Sequence, residues 1–189
     1  MRIISGKYRS RKVNTSGSNS GNPAGSNTAG FRPTTDRAKE TLFNVLNNLI
    51  DFDSLICADL FAGSGALGFE SISRGALKCD FVENSVRQAN MIQRTARELN
   101  CEQNVNIIKA DVMKFLIENE GAFYDLIFAD PPYSYENFDD LTALALKLRF
   151  SVFVFEHSSE KVILYNVNDF EVIDKKIGYT NFKIFFTKE

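Results

Sequence analysis

Two short stretches of the chain carry residue types that can hold a small ligand and do chemistry on its partner. The first is Asp59-Leu60-Phe61-Ala62-Gly63-Ser64-Gly65-Ala66-Leu67-Gly68. Glycine lets a backbone turn sharply and lets a ligand approach the main chain. A helix that begins in such a turn offers unpaired N–H groups. Gly63, Gly65 and Gly68 spell a literal G-x-G-x-x-G, which suits a dinucleotide as well as any other adenosine-containing ligand. The second stretch is Phe128-Ala129-Asp130-Pro131-Pro132-Tyr133. Its prolines fix φ and remove two N–H donors, so a stiff turn displays a carboxylate, carbonyls and an aromatic ring. That set fits a planar group bearing an exocyclic amine. Tyr133 stacks on the ring, while Asp130 and the Pro131 carbonyl accept the amine hydrogens.

Two more acids fall where ligand contacts belong. Glu83 lies 24 residues after Asp59, at the end of the next apolar run, where a carboxylate can accept both hydroxyls of a ribose. Asp111 ends the run after that. It reads either as a third ligand-facing acid or as the N-cap of the helix beginning near Val112. His157, the single histidine, is open to three readings: a base, an RNA contact or a structural side chain. No His/Cys/Asp/Glu spacing resembles a metal site. Cys57, Cys79 and Cys101 are scattered and odd in number, which suits reduced, half-buried thiols in a cytosolic protein.

These residues need elements to position them. Apolar strand-like runs occur near 56–61, 79–83, 105–110, 124–129 and 151–156. Helical patterns at 67–74, 85–100, 113–118 and 138–148 alternate with them. Strand–helix alternation predicts a parallel sheet covered on both faces. A further helix opens at Asp36, with Ala38, Leu42, Val45, Leu46 and Leu49 on one face. Past residue 161 the pattern becomes strands at 162–165, 170–176 and 182–187, expected to close one sheet edge as an antiparallel hairpin.

The N-terminus differs from the rest. Six of the 22 basic side chains (Arg2, Lys7, Arg9, Arg11, Lys12 and Arg32) lie in residues 1–35, which hold no acid. The remainder has 16 basic residues against 24 acidic ones. A basic arm on an acidic body suggests local contact with a polyanion. Residues 1–13 read as a short strand or hairpin, and Asn14–Gly30, uncharged and without a large apolar residue, as a flexible loop. The expected division is a basic arm with its loop over 1–30 and a main domain over 31–189. The 189 residues suffice for one domain. No apolar run approaches the roughly 20 residues of a membrane span, and no apolar segment of a secretory signal is present.

Taken in order, MRIISGKYRSRKV, RPTTDRAKETLFNVL, ADLFAGSGALGFESISRGA, FVENSVRQAN, FADPPY and FEHS resemble the bacterial 16S rRNA guanine-N2 methyltransferase family that modifies guanine 966, a class I S-adenosylmethionine-dependent family. The resemblance covers nearly the whole chain, departing at Asn14–Gly30, where the family has a shorter, more basic stretch. The glycine loop and Asp-Pro-Pro-Tyr are shared by many amino-methyltransferases, whereas RPTTDR after a basic arm is more specific. The resemblance implies an α/β, Rossmann-like class I methyltransferase fold. Its mostly parallel seven-stranded sheet has helices on both faces and a C-terminal antiparallel hairpin, preceded by a short N-terminal β arm. It implies S-adenosyl-L-methionine as cofactor and 16S rRNA, in the small subunit or an assembly intermediate, as partner; the cysteine usage suits a cytoplasmic protein, and no coiled-coil pattern argues for more than a monomer. The implied cofactor residues are Thr35, Asp59, Phe61, Ala62, Gly63, Gly65, Glu83, Asn84, Asp111, Val112 and Asp130. Arg32, Thr34, Thr35 and Asp36 would border the methionine end and the target entrance. Asp130, Pro131 and Tyr133 would hold the guanine, and Arg2, Lys7, Arg9, Arg11, Lys12 and Arg32 would contact RNA. Other amino-methyltransferases, acting on DNA adenine or protein glutamine, share the Asp-Pro-Pro-Tyr chemistry. An NAD-dependent oxidoreductase would leave that turn unexplained, and a silent RNA-binding module would show no turnover.

Overall fold

Strand–helix alternation is what the chain forms. The computed structural model describes residues 1–15, 36–132, 135–157, 169–177 and 180–187. After α1 (Asp36–Leu46) come β1 (Ile56–Asp59), α2 (Ala66–Arg74), β2 (Lys78–Val82), α3 (Val86–Leu99), β3 (Val105–Ile108), α4 (Val112–Glu118), β4 (Phe123–Ala129), α5 (Phe138–Ala145) and β5 (Arg149–His157). The remaining strands among the described residues are β6 (Phe170–Ile177) and β7 (Thr180–Thr187). The seven strands form one sheet in the order β3-β2-β1-β4-β5-β7-β6. The first five are parallel. β7 runs antiparallel to β5 and pairs with β6, the expected edge hairpin. The expected strand at 162–165 and most of the expected loop at 14–30 lie outside the described residues.

Burial on both faces explains why the inner strands read as unbroken apolar runs. Along β4, Leu126 and Phe128 join one core cluster, and Ile127 and Ala129 the other, the period of two that a strand imposes. The first cluster packs under α1, α2 and α3 through Leu42, Phe43, Phe69, Ile72, Ile92 and Ala96. The second packs under α4 and α5 through Val112, Phe115, Leu141 and Ala145. The helices start and stop on local signals. Ser85 Oγ accepts from Gln88 N–H to cap α3, and Asn100 ends that helix in the left-handed region, at φ 53°. All three cysteines are free and fully buried, more deeply than expected. Burial raises the thiol pKa of Cys57 to about 12. No helix among the described residues is long and apolar enough to cross a membrane.

The basic arm is a hairpin anchored to the main body. Arg2 and Lys12 form its antiparallel bridge, and Ile3, Tyr8 and Val13 enter the first core cluster. Glu70 on α2 is the anchor. Its carboxylate accepts the N–H groups of Ile4 at 2.8 Å and Ser5 at 3.0 Å. It also pairs with Arg74 at 3.0 Å and with Lys39 of α1 at 3.4 Å, where Lys39 and Glu70 are both 0% exposed. Lys39 Nζ donates to the Arg2 carbonyl at 2.5 Å. Farther along, Ser73 Oγ accepts from Tyr8 N–H, and Thr95 Oγ1 from Asn14 N–H. Gly6 has φ +79°, and a Cβ there would stand 1.8 Å from the Ser73 carbonyl oxygen. Only glycine lets the hairpin lie this close to α2.

Candidate active site

In an open α/β sheet, ligands bind beyond the C-terminal strand ends where strand order reverses. Here the reversal lies between β1 and β4. A cavity of about 430 Å³ opens there, within the usual range for a small-molecule site. Of the expected residues, Asp59, Phe61, Ala62, Gly63, Glu83, Asn84, Asp111, Val112, Asp130 and Pro131 line it. Thr35, Tyr133, Arg32 and Thr34 lie outside the described residues.

The glycines divide by task. Gly63 lines the cavity with φ +52°, and a Cβ there would meet only the Phe61 carbonyl oxygen at 3.8 Å. Its backbone is open toward a ligand. Gly65 caps α2 at φ 77° and is not among the lining residues; a Cβ there would press on the Phe69 and Phe81 rings. Gly68 sits inside α2, where a Cβ would come within 2.3 Å of Phe81 and 2.8 Å of Cys79 Sγ. The third glycine of G-x-G-x-x-G therefore lets helix and strand pack closely.

Three carboxylates are fixed around this turn. Asp59, 2% exposed, accepts Gly68 N–H at 3.2 Å. Burial pushes its pKa up to about 7; the nearby Asp130 and Glu83 charges add to the rise and the Gly68 N–H opposes it. Glu83 accepts Gly63 N–H at 2.8 Å and Ser85 N–H at 2.7 Å, which ties the glycine turn to the start of α3. Asp130 follows β4, and burial pushes its pKa up to about 7 as well. Asp111 is the expected N-cap of α4, accepting from Met113 and Lys114 N–H, and it also lines the cavity.

Sequence reasoning missed other lining residues. Tyr135 lines the cavity; its N–H donates to the Pro132 carbonyl at 2.8 Å, and its ring meets Phe61 edge-on at 5.5 Å. Gln88, in the first turn of α3, lines it with a buried Oε1 that has no hydrogen-bond partner among the described residues. Such an acceptor is costly unless a ligand donor meets it. Glu156, near the end of β5, is 6% exposed and lines it too. The FVENSVRQAN and FEHS segments contained Gln88 and Glu156, but neither had a signal separating it from a solvated side chain.

Of the basic side chains on the arm, Arg2 pairs with Asp36 at 3.1 Å, and Arg11 donates to the Glu98 carbonyl at 2.7 Å. Lys7 lies over the Tyr8 ring, 5.2 Å from its centroid. Arg9 and Lys12 are exposed. His157 sits at the end of β5, half-buried.

The family model described as "Conserved hypothetical protein 95" matches residues 1–186. The Haemophilus influenzae protein named Ribosomal RNA small subunit methyltransferase D is 37% identical over 137 residues, 71% of this chain and 65% of that protein. The matched stretch thus spans slightly under two thirds of that relative. The solved structure of yhhF from Escherichia coli, 26% identical, has a TM-score of 0.79 over 100% of this chain and 98% of that one. The SAM Dependent Methyltransferase from Agrobacterium tumefaciens, 17% identical, has a TM-score of 0.60 over 79% of this chain and 62% of that one. At that identity the likeness concerns the fold, which is the expected Rossmann-like methyltransferase fold. Motifs, fold and family model agree, and the chain belongs to the family described as conserved hypothetical protein 95, alongside the Ribosomal RNA small subunit methyltransferase D proteins.

Proposed function

We propose that the protein is an S-adenosyl-L-methionine-dependent methyltransferase that methylates the exocyclic N2 amine of a guanine in 16S rRNA. It acts as a cytoplasmic monomer on the small ribosomal subunit or an assembly intermediate. The observation that carries this reading is Asp130-Pro131. A carboxylate with its pKa raised to about 7 stands in the cavity at the end of β4, next to a rigid prolyl carbonyl. The relatives named for rRNA methylation support the same reading.

The residues present fit the cofactor. Gly63 offers open backbone, Glu83 stands where an acid meets a ribose, and Gln88 Oε1 is a buried acceptor in need of a donor. Bound there, S-adenosyl-L-methionine supplies a methyl group on positively charged sulfur, already a strong electrophile. The protein's task is then to position and activate a poor nucleophile, since the guanine N2 lone pair is delocalised into the ring. Accepting the two amine hydrogens at Asp130 and the Pro131 carbonyl pulls that nitrogen toward a localised lone pair. Holding it in place supplies much of the rate. Asp130 takes the proton the amine loses. The base leaves its stack to reach the cavity, as sequence-specific RNA chemistry requires, and the basic arm positions the RNA through phosphate contacts.

The test is transfer of labelled methyl to unmethylated small subunits, naked 16S rRNA and DNA in parallel, followed by nucleoside analysis. N2-methylguanosine in either rRNA substrate is the expected product. Methyladenine, or label confined to DNA, would overturn the substrate while leaving the Asp130 chemistry.

A further inference from the structure

Resting on the reading above, we infer that Gln88 accepts one of the two ribose hydroxyls of the cofactor, sharing with Glu83 a task that a single acid could otherwise perform. α3 opens with Ser85-Val86-Arg87-Gln88, a capping-box sequence. In that arrangement the serine side chain caps the third helical N–H, and the glutamine reaches back to the N–H of the serine. Only the first half forms here. Ser85 Oγ accepts from Gln88 N–H at 3.4 Å. The Ser85 N–H is taken instead by Glu83 Oε1, at 2.7 Å. Gln88 is thereby displaced from its usual partner. Its Oε1 is buried and has no hydrogen-bond partner among the described residues, while the residue lines the cavity together with Glu83, Asn84 and Ser85.

A buried acceptor without a donor destabilises the fold. An apolar side chain of equal length would avoid that cost and leave the serine cap intact, so the glutamine reads as a group kept for a ligand. The neighbouring bonds identify the donor. Glu83 Oε2 accepts Gly63 N–H at 2.8 Å and Oε1 accepts Ser85 N–H, so each carboxylate oxygen has used one of its two acceptor sites. A ribose brings two hydroxyls on adjacent carbons, both of them donors. A side chain in the first turn of a helix leans back over the turn before it, which carries Gln88 toward the N-cap that Glu83 occupies. Glu83 and Gln88 therefore serve one end of the cavity, joined through Ser85, whereas Asp111 lines it from the start of another helix, α4. The last torsion of a glutamine is broad, so its amide oxygen turns to the cavity when a hydroxyl enters.

The experiment is calorimetry of the full chain with S-adenosylhomocysteine, its 2′-deoxy and 3′-deoxy analogues, and the analogue lacking the adenine amine. The intact protein should bind each deoxy analogue about five- to tenfold more weakly than S-adenosylhomocysteine, the usual worth of one hydrogen bond. Gln88→Met, equal in length and similar in helix preference, should weaken S-adenosylhomocysteine by a like factor. For one deoxy analogue alone, variant and parent should agree within about twofold, because the hydroxyl that Gln88 holds is already gone. Without ligand the variant should melt no lower than the parent, since no bond within the protein is lost. Gln88→Ala provides the same cycle if Gln88→Met does not fold. Equal losses for all four ligands would overturn the inference, as would a loss that disappears only with the analogue lacking the amine. An intact protein that binds S-adenosylhomocysteine no better than NAD would refute the proposed cofactor itself, a result distinct from failure of the Gln88 assignment.

Discussion

Replacing Glu70 by alanine would test how the basic arm is held. The substitution removes a carboxylate that accepts two backbone N–H groups of the arm and neutralises Lys39 and Arg74. Lys39 would then remain fully buried with the Arg2 carbonyl as a partner. Removing one member of a buried pair costs about 3–5 kcal/mol, mostly through the charge left behind. Orphaning two half-buried N–H groups adds to this, so the expected loss is about 4 kcal/mol or more in urea unfolding at pH 7. The pH dependence identifies the cause. Burial already lowers the Lys39 pKa, against the attraction of Glu70, and without Glu70 it falls further. The unfolded chain then binds more protons than the folded one between the lowered pKa and about 10.4, so the variant regains stability as pH rises through that window. Pairing Glu70→Leu with Lys39→Met removes both charges and should restore much of the loss, as buried pairs replaced by apolar groups commonly do. Limited trypsin digestion reports the arm directly, with cleavage at Lys7, Arg9 and Lys12 accelerating in Glu70→Ala. A loss under about 1 kcal/mol, independent of pH and with unchanged digestion, would refute this account of the anchor.

Further predictions address the site. Asp130→Ala should reduce methyl transfer at least about 100-fold, the usual worth of a positioned acid–base group, while calorimetry shows cofactor affinity within a few-fold of the parent. With Asp130 pushed up to about 7, the kcat/KM of the intact protein should rise with pH through about 7 as the accepting carboxylate forms. Asp59 is likewise raised to about 7, so the folded state holds its proton where the unfolded state does not. Stability should therefore fall as pH rises from about 4 to about 7, and Asp59→Asn should flatten that fall by up to about 4 kcal/mol. Gly68→Ala should lower stability by about 1–3 kcal/mol through crowding of Phe81 without changing cofactor affinity, whereas Gly63→Ala should weaken cofactor binding more than folding. Neutralising Lys7, Arg9 and Lys12 together should reduce the salt dependence of RNA binding by a slope of about 2.

The sheet was legible because its strands obey simple periodicities. Continuous apolar runs at 124–129 and 151–156 mark strands buried on both faces, and the helices between them carry apolar stripes. The glycine turn and Asp130-Pro131 were legible because few other jobs demand those residues together. Lys39 and Glu70 were not. Within the sequence each is a charged residue on an amphipathic helix, and only the distant arm turns both inward. Tyr8 and Val13 were hidden in the same way, since an arm of alternating basic residues looks solvated until α2 and α3 cover its other face. Gly68 is the converse case, a glycine written into the motif whose open side is filled by Phe81, so that it serves helix–strand packing. Gln88 and Glu156 needed the fold to bring α3 and β5 to one cavity.

The anchoring of the arm also orders events during synthesis. Residues 1–14 leave the ribosome well ahead of Glu70, Ser73 and Thr95, the side chains that receive their backbone N–H groups. At roughly 5–20 residues per second, the arm spends several seconds without its partners, exposing its basic side chains to any nearby polyanion. The arm is thus made before its partners and placed only after them, and its docking registers that α2 and α3 have arrived.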